Sequence, residues 1–367
     1  MKLLDELKPY ENTGWLDDTI GKIRKRGGGI LIYGAGSYGK SVAEILIKNG
    51  IAAPACFCDD NIKLLRKRQI KGADVISLKE AFIKYGEDNP VLICCSLANP
   101  VIDKMKQNCL DIGFRNIQYY RHLQFASHYE TISGLSKIEN ELEVAYNLLE
   151  DERSKEIFKR VLTARVSGRT SLQQNLIDSC MYFDPDIVKL TKTEVFVDCG
   201  AYDGDTILTF IEKAGGKFHS AYGFEMDLGN FQSLQKAVRP FDNILAIHCG
   251  CYSYNGVVKF SSESGPTSMI DENGDAAVKV CRLDDFMKDL ARPTFIKMDI
   301  EGAELAALQG AEFIIRNYKP RLAICLYHKP DDIWEIPLYI KSLCPEYKLY
   351  IRAYSDLLID FVLYAVV

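Results

Sequence analysis

Short apolar runs of four to six residues alternate with amphipathic stretches along most of this chain, and one purely helical tract interrupts them. Gly29-Ile-Leu-Ile-Tyr33 is apolar, turns through Gly34-Ala-Gly-Ser-Tyr-Gly39, and passes into a helical run over 40–49. Ala55-Cys-Phe-Cys58, ending at Asp59-Asp60, and Val91-Leu-Ile-Cys-Cys-Ser96 repeat the pattern, the second followed by a helix predicted over 100–109. Runs this short, apolar throughout and bounded by glycine or acid, read as strands buried on both faces of a parallel sheet. Between 129 and about 179 the period changes. Ile138, Leu142, Ala145 and Leu149 recur at helical spacing, as do Ile157, Val161 and Ala164, with charges covering the rest. These read as helices packing between domains; as a cap over a substrate they would present Arg165, Arg169 and Gln173. Strand–helix alternation then returns, with strands predicted at 194–198, 221–225, 244–248, 294–299, 321–327, 347–353 and 360–367. The last two, around Tyr354-Ser-Asp-Leu-Leu358, read as an antiparallel hairpin. The expected fold class is therefore α/β. Two doubly wound Rossmann-like domains, 1–128 and a seven-stranded 191–367, are joined by a helical segment at 129–190.

Composition changes this picture little. At 367 residues the chain can bury two cores, and 47% hydrophobic with 26% charged residues is ordinary for a globular protein. A net charge of −5 gives no general attraction for nucleic acid or an anionic membrane. No apolar run approaches the roughly 20 residues that span a bilayer, and Met1-Lys-Leu-Leu-Asp-Glu-Leu-Lys8 has charges where a leader needs an apolar stretch. Twelve cysteines include no Cys-x-x-Cys pair, and most sit inside strand-like runs. Reduced core thiols in a cytoplasmic protein are the expectation. The five histidines show no ligand spacing.

The chemistry concentrates in two glycine turns. Val195-Phe-Val-Asp-Cys-Gly-Ala-Tyr-Asp-Gly-Asp-Thr206 is a strand ending in Asp198, a turn through Gly200, Asp203 and Gly204, and a helix start. Tyr222-Gly-Phe-Glu-Met226 answers it with a second strand closing on an acid, Glu225. Glycines let backbone approach a nucleotide-like ligand, and an acid at the next strand end accepts ribose hydroxyls. The first turn, Gly34, Gly36 and Gly39 with Asp59 twenty residues beyond, has the same strand-to-helix setting and marks a second nucleotide site. Its rival use is by an NAD(P)-linked oxidoreductase or sugar epimerase, although no hydride-transfer residue set accompanies it. A domain kept for packing, or a non-catalytic nucleotide sensor, is the remaining alternative.

From Tyr182 onward the chain resembles the FkbM family of S-adenosylmethionine-dependent methyltransferases. Tyr182-Phe183, Val197-Asp-Cys-Gly-Ala-Tyr-Asp-Gly204, Gly223-Phe-Glu225, Arg282-Leu-Asp-Asp285, Ile296-Lys-Met-Asp-Ile-Glu-Gly-Ala-Glu304 and Leu326-Tyr-His328 carry the likeness. The resemblance implies a class I methyltransferase sheet. Asp198 and Gly200 would hold the amino-acid tail of the donor, Glu225 its ribose with Met226 beside it, and the segment His248-Cys-Gly-Cys251 its adenine, with Tyr182 or Phe183 stacking. Tyr202 stands where the general Gly-x-Gly-x-Gly turn has its second glycine. For methyl transfer to a hydroxyl, Asp299, placed where this fold meets both methyl donor and acceptor, is the first candidate base as well as a candidate donor contact. Asp299 with Glu301 could instead hold a divalent cation, His328 is a further base candidate, and Glu304 is expected to complement a helix N-terminus. Strand alternation puts Lys297 on one face with Phe295 and Asp299. Residues 29–127 resemble the small Rossmann-like domain that precedes sialic-acid-type sugar O-acetyltransferases. That implies a nucleotide or nucleotide-sugar ligand, and hence a sugar or glycan hydroxyl as acceptor.

Overall fold

The computed structural model describes residues 2–11, 29–48, 53–60, 69–94, 99–119, 131–167, 174–260, 276–355 and 360–367. Arg169, Gln173 and positions 356–359 of the predicted hairpin turn lie outside them. The chain divides into two compact units. One comprises Leu7–Leu135 with Thr163–Thr170; the other comprises Met1–Glu6, Ser136–Leu162 and Ser171–Val367. Most of the helical tract thus folds with the C-terminal sheet.

The first unit holds β1 (Ile30–Tyr33), β2 (Pro54–Cys58), β3 (Gln69–Ile70), β4 (Ala73–Ile76), β5 (Val91–Ile93) and β6 (Ile117–Tyr119). Their order is β3-β4-β2-β1-β5-β6, parallel except for the β3–β4 hairpin. Ile30, Ile32 and Phe57 enter one core cluster, and Leu31, Tyr33, Cys56 and Cys58 enter another. Successive side chains point to opposite faces and both faces are covered, which is why these runs carry no polar alternation.

The second unit adds β7 (Val195–Cys199), β8 (Ser220–Glu225), β9 (Ile244–His248), β10 (Gly250–Cys251), β11 (Gly256–Phe260), β12 (Ala276–Cys281), β13 (Phe295–Met298), β14 (Arg321–Cys325), β15 (Lys348–Ala353) and β16 (Phe361–Val366). All seven predicted strands are present, ordered β15-β16-β14-β13-β7-β8-β9, with β16 antiparallel to both neighbours. The strand sequence reverses beside β7, so the carboxyl ends of β7, β8 and β13 open a crevice there. Below it Phe183, Phe196, Phe210 and Phe295 pack ring against ring, with centroids 4.6–6.3 Å apart. The helical tract closes the edge of β15: Leu149 and Ile177 bridge Leu349 and Ala353, and Ser154 Oγ accepts from the Ile351 amide. An edge strand left open would invite pairing with another chain. A second small sheet, β10-β12-β11, was not foreseen in the sequence.

Candidate active site

A cavity of about 370 Å³ occupies the crevice at the carboxyl ends of β7, β8 and β13. Its floor is the turn after β7. Gly200 has φ +85°, and a Cβ there would stand 1.9 Å from the Asp299 carbonyl oxygen, so only glycine lets β7 and β13 end side by side. Tyr202 is left-handed (φ 48°), and its amide donates to Glu225 Oε2 at 2.9 Å. Glu225 Oε1 accepts from the Asp227 amide at 2.8 Å. Each Glu225 oxygen keeps acceptor capacity toward the cavity, since a carboxylate offers about four lone-pair sites. Burial raises the Glu225 pKa, and the two amides work against that rise. Met226, Cys249, Gly250, Cys251 and Val280 form an apolar, sulfur-rich wall beyond it.

Opposite Glu225, the turn after β13 carries three carboxylates. Asp299 accepts from Tyr182 Oη at 2.7 Å and Tyr327 Oη at 3.0 Å. Burial alone would raise its pKa; Lys297, His328 and the two phenols together hold it below the usual aspartate value. Glu301, left-handed at φ 54°, has its pKa raised, first by burial and then by Asp299, Glu304 and Glu225, against the lowering influence of His328. Glu304 is fully buried, and its Oε1 accepts from the Ile300 amide at 2.9 Å. His328 follows β14 with Nδ1 2.8 Å from that oxygen and Nε2 3.4 Å from Asp299 Oδ1 and 3.5 Å from Glu301 Oε2. Burial would lower its pKa, but Glu304, Asp299 and Glu301 override that and raise it to about 9.

Asp299, Glu304 and His328 offer ligand atoms within 4.8 Å of one another, the spacing of a metal site. Phenols donate to both Asp299 oxygens, and Glu304 Oε1 is bonded to the ring and to a backbone amide, while the buried Glu304 Oε2 has no hydrogen-bond partner among the described residues. Asp299 and Glu301, the pair expected to hold a cation, both stand on the cavity wall.

Of the residues singled out from sequence, Gly200, Glu225, Met226, Cys251, Asp299 and Glu301 line the cavity. Asp198 does not. It is fully buried behind the wall, because it stands in register with Lys297 on β13 and pairs with that ammonium at 2.9 Å. Lys297 Nζ also donates to the Gly200 carbonyl at 2.6 Å and lies 5.2 Å from the Tyr182 ring centre. Burial raises the Asp198 pKa to about 6 despite Lys297. Asp203 is exposed and Gly204 packs under Leu234 and Ala237; Asp205 reaches the cavity instead. His328 lies behind Asp299 and Glu301 and is not among the residues lining the cavity. Phe183 is core, whereas Tyr182 lines the cavity. Reasoning from sequence missed Asp205, Asp227, Asn230 and Asp360. Asp227 could have been found, since Asp-x-x-Asn before an apolar run marks a helix N-cap, and its side chain does accept from the Asn230 amide at 2.9 Å. Asp360 carries no comparable signal.

In the first unit, packing explains two of the three glycines of the turn. A Cβ on Gly34 would meet the Cys94 carbonyl at 2.1 Å, and one on Gly39 the Gly34 carbonyl at 1.8 Å. Gly36 has nothing within 4 Å. Asp59 Oδ2 accepts from the Ala35 amide at 2.7 Å, and Asp60 accepts from the Tyr33 hydroxyl.

Residues 198–355 match the methyltransferase FkbM domain, and residues 29–102 match the PglD N-terminal domain. No curated protein matches the chain. A solved structure described as methyltransferase FkbM from Methylobacillus flagellatus is similar over 99% of this chain and 97% of its own, at TM-score 0.71 and 22% identity, a likeness of fold. Fibrillarin from Aeropyrum pernix, solved with S-adenosyl-L-methionine, aligns over 49% of this chain and 70% of its own at TM-score 0.32 and 14% identity, too distant to carry an argument. No helix among the described residues is long and apolar enough to cross a membrane.

Proposed function

We propose that this S-adenosylmethionine-dependent methyltransferase of the FkbM family methylates a hydroxyl group of a sugar or glycan precursor. One observation carries the reading: a single cavity has a ribose-type acceptor, Glu225, on one wall and two carboxylates, Asp299 and Glu301, on the other. The residues present fit the donor. Glu225 has free lone pairs for two hydroxyls, the Met226–Cys251 wall suits a flat purine, and Asp205 is placed to meet an ammonium. When bound, S-adenosylmethionine supplies a methyl group on a sulfonium, which leaves as a neutral thioether as the carbon–oxygen bond forms. The chain must then hold the acceptor oxygen in line and take its proton. Glu301 suits the proton transfer, since its raised pKa makes it a stronger base than an ordinary carboxylate. Asp299, oriented by two phenols and held low, suits a hydrogen bond that aims the hydroxyl. Tyr182 and Tyr327 fix that orientation.

The open space over Gly36 supports a nucleotide or nucleotide-sugar at the first unit, since packing within the described residues gives no reason for glycine there. Isothermal titration with S-adenosylmethionine, NAD(H) and nucleotide-sugars tests the scheme, followed by labelled methyl transfer to the sugars that bind. Micromolar donor binding lost in Glu225→Ala is expected. Silence toward the donor with clear NAD(H) binding would establish the oxidoreductase or epimerase reading instead.

A further inference from the structure

One acid on the cavity wall has no part in that scheme. Asp360, on the approach to β16, lines the cavity together with Asp299 and Glu301. Its backbone is left-handed at φ 59°, its carbonyl accepts from the Tyr354 amide at 2.9 Å, and Ser355 bonds to its carboxylate, which keeps further lone pairs. Across the whole wall the charge is one-sided. Asp205, Glu225, Asp227, Asp299, Glu301 and Asp360 are acids, and Lys297 is the one lysine, arginine or histidine among the lining residues. Lys297 is 2% exposed and already engaged with Asp198 at 2.9 Å and the Gly200 carbonyl at 2.6 Å. Whatever charge His328 carries behind the wall is matched by Glu304, 2.8 Å from its Nδ1. Lys329, next to it, is exposed and not part of the wall. Hydrogen-bonding capacity is one-sided too. A carboxylate only accepts, and the hydroxyls of Tyr182 and Tyr327, the phenols beside these acids, both donate to Asp299. Where Asp299, Glu301 and Asp360 stand, the cavity thus offers negative charge and lone pairs, with no side-chain cation left over among the described residues.

We propose that the acceptor is an amino sugar, and that Asp360 is the specificity-determining residue, receiving the sugar's ammonium while a neighbouring hydroxyl is methylated. The proposal rests on the reading of the cavity as a site of sugar methylation given above, and narrows its substrate class. An ammonium brings three N–H donors, no acceptor and a positive charge, which is the complement of this wall. A neutral sugar meets the lone pairs through its hydroxyls but leaves the charge standing. A uronate, sulfate or phosphate only accepts, and would set like charge against three carboxylates with no donor to meet it. The bound methyl donor does not remove the asymmetry. Its sulfonium and ammonium against one carboxylate amount to one net positive charge, opposed to the six acids of the wall. A protonated amine has no lone pair, so it is held as a contact and the hydroxyl remains the group that takes the methyl.

The test is isothermal titration near pH 7 of the full chain, treated with a chelator and saturated with S-adenosylhomocysteine, which fills the donor half without a methyl group to transfer. The probes are 2-amino, 3-amino and 4-amino hexoses, each with its N-acetyl form, its neutral parent and the matching uronate. The best amino sugar is expected to bind about 10- to 100-fold tighter than its neutral parent, the gain of one charge-assisted hydrogen bond. N-acetylation, which removes the charge, should abolish that gain, and the uronate should bind weakest. Asp360→Asn keeps the shape and suits a left-handed backbone; it should erase most of the preference, with S-adenosylhomocysteine affinity as the check that the donor half is intact. Labelled methyl transfer to the amino sugar that binds should place the methyl on oxygen. A neutral sugar or uronate that binds as tightly as its amino partner overturns the proposal. So does a preference that Asp360→Asn leaves in place, silence toward every amino sugar at millimolar concentration, or tight uronate binding that appears on adding magnesium. If Asp360→Asn does not fold, the wild-type order of affinities decides alone. Silence toward S-adenosylmethionine would instead overturn the donor reading, and this proposal with it.

Discussion

Replacing Lys297 by methionine removes the partner of a fully buried carboxylate while keeping the volume of the side chain. At 2.9 Å, and with an effective dielectric constant near 20, the Asp198–Lys297 attraction is about 6 kcal/mol gross. Breaking a buried pair by removing one partner typically costs roughly 3–5 kcal/mol. For a unit of this size, where each kcal/mol moves Tm by about 2–4 °C, that is a fall of roughly 6–20 °C. The loss must also depend on pH. Asp198 already has a folded pKa near 6, above the ordinary 3.8, and without Lys297 it rises further. The buried anion is then most costly above that value, and its cost shrinks as pH falls through the folded pKa toward the ordinary 3.8, well below which the carboxyl is neutral in both folded and unfolded chains. Urea denaturation of wild type, Lys297→Met and Lys297→Met/Asp198→Asn at pH 5.5 and 8 reads this directly. The single variant should lose more at pH 8 than at pH 5.5, and the double variant should recover most of the difference. A single variant destabilised by less than 1 kcal/mol, or equally at both pH values, would refute the reasoning.

Gly200→Ala places a Cβ 1.9 Å from the Asp299 carbonyl at φ +85°, so roughly 1–3 kcal/mol of backbone strain should appear as a lower denaturation midpoint, with donor affinity falling alongside it. Gly36→Ala should leave the midpoint unchanged and weaken only nucleotide-sugar binding; unchanged binding in titration would remove Gly36 from that site. His328, raised from 6.5 to about 9, contributes stability that is complete below about pH 6.5 and fades as pH rises through 9, with a ceiling of roughly 3 kcal/mol. Denaturation between pH 7.5 and 10 should show that decline in the wild type and not in His328→Gln. Methyl transfer should survive exhaustive dialysis against a chelator; loss of activity that magnesium or manganese restores would show that the acid cluster takes a cation after all.

The strands were legible because a strand covered on both faces has no choice but to be apolar, and their ends were legible because an acid or glycine interrupts each run. Glu225, Asp299 and Glu301 stand at such ends and were found there. Asp198 stands at one too, and the same signal misplaced it. Whether a strand-end acid faces ligand or neighbour depends on which strand lies beside it, and the register of Lys297 against Asp198 is a property of strand order. Alternation had put Lys297 on one face with Asp299 but could not supply the partner across the sheet. Asp205 in place of Asp203 reflects a turn whose left-handed Tyr202 rotates the following residues, a conformation that side chains other than glycine rarely advertise. The small β10-β12-β11 sheet was missed because β10 has only two residues and β11 and β12 carry exposed polar positions, as at Lys259 and Lys279.

The position of β7 at the reversal of strand order divides the cavity into two inheritances. Gly200, Glu225 and Cys251, which would face the methyl donor, come from β7, β8 and β10. Asp299, Glu301 and Asp360, which would face the acceptor under the proposed function, come from the turn after β13 and the approach to β16. Substitutions or insertions after β13, β14 or β15 would reshape the choice of acceptor while leaving the donor's contacts intact. A lineage built on this sheet can thus change what it methylates by altering one half of the crevice, with the other half held constant as the source of the methyl group.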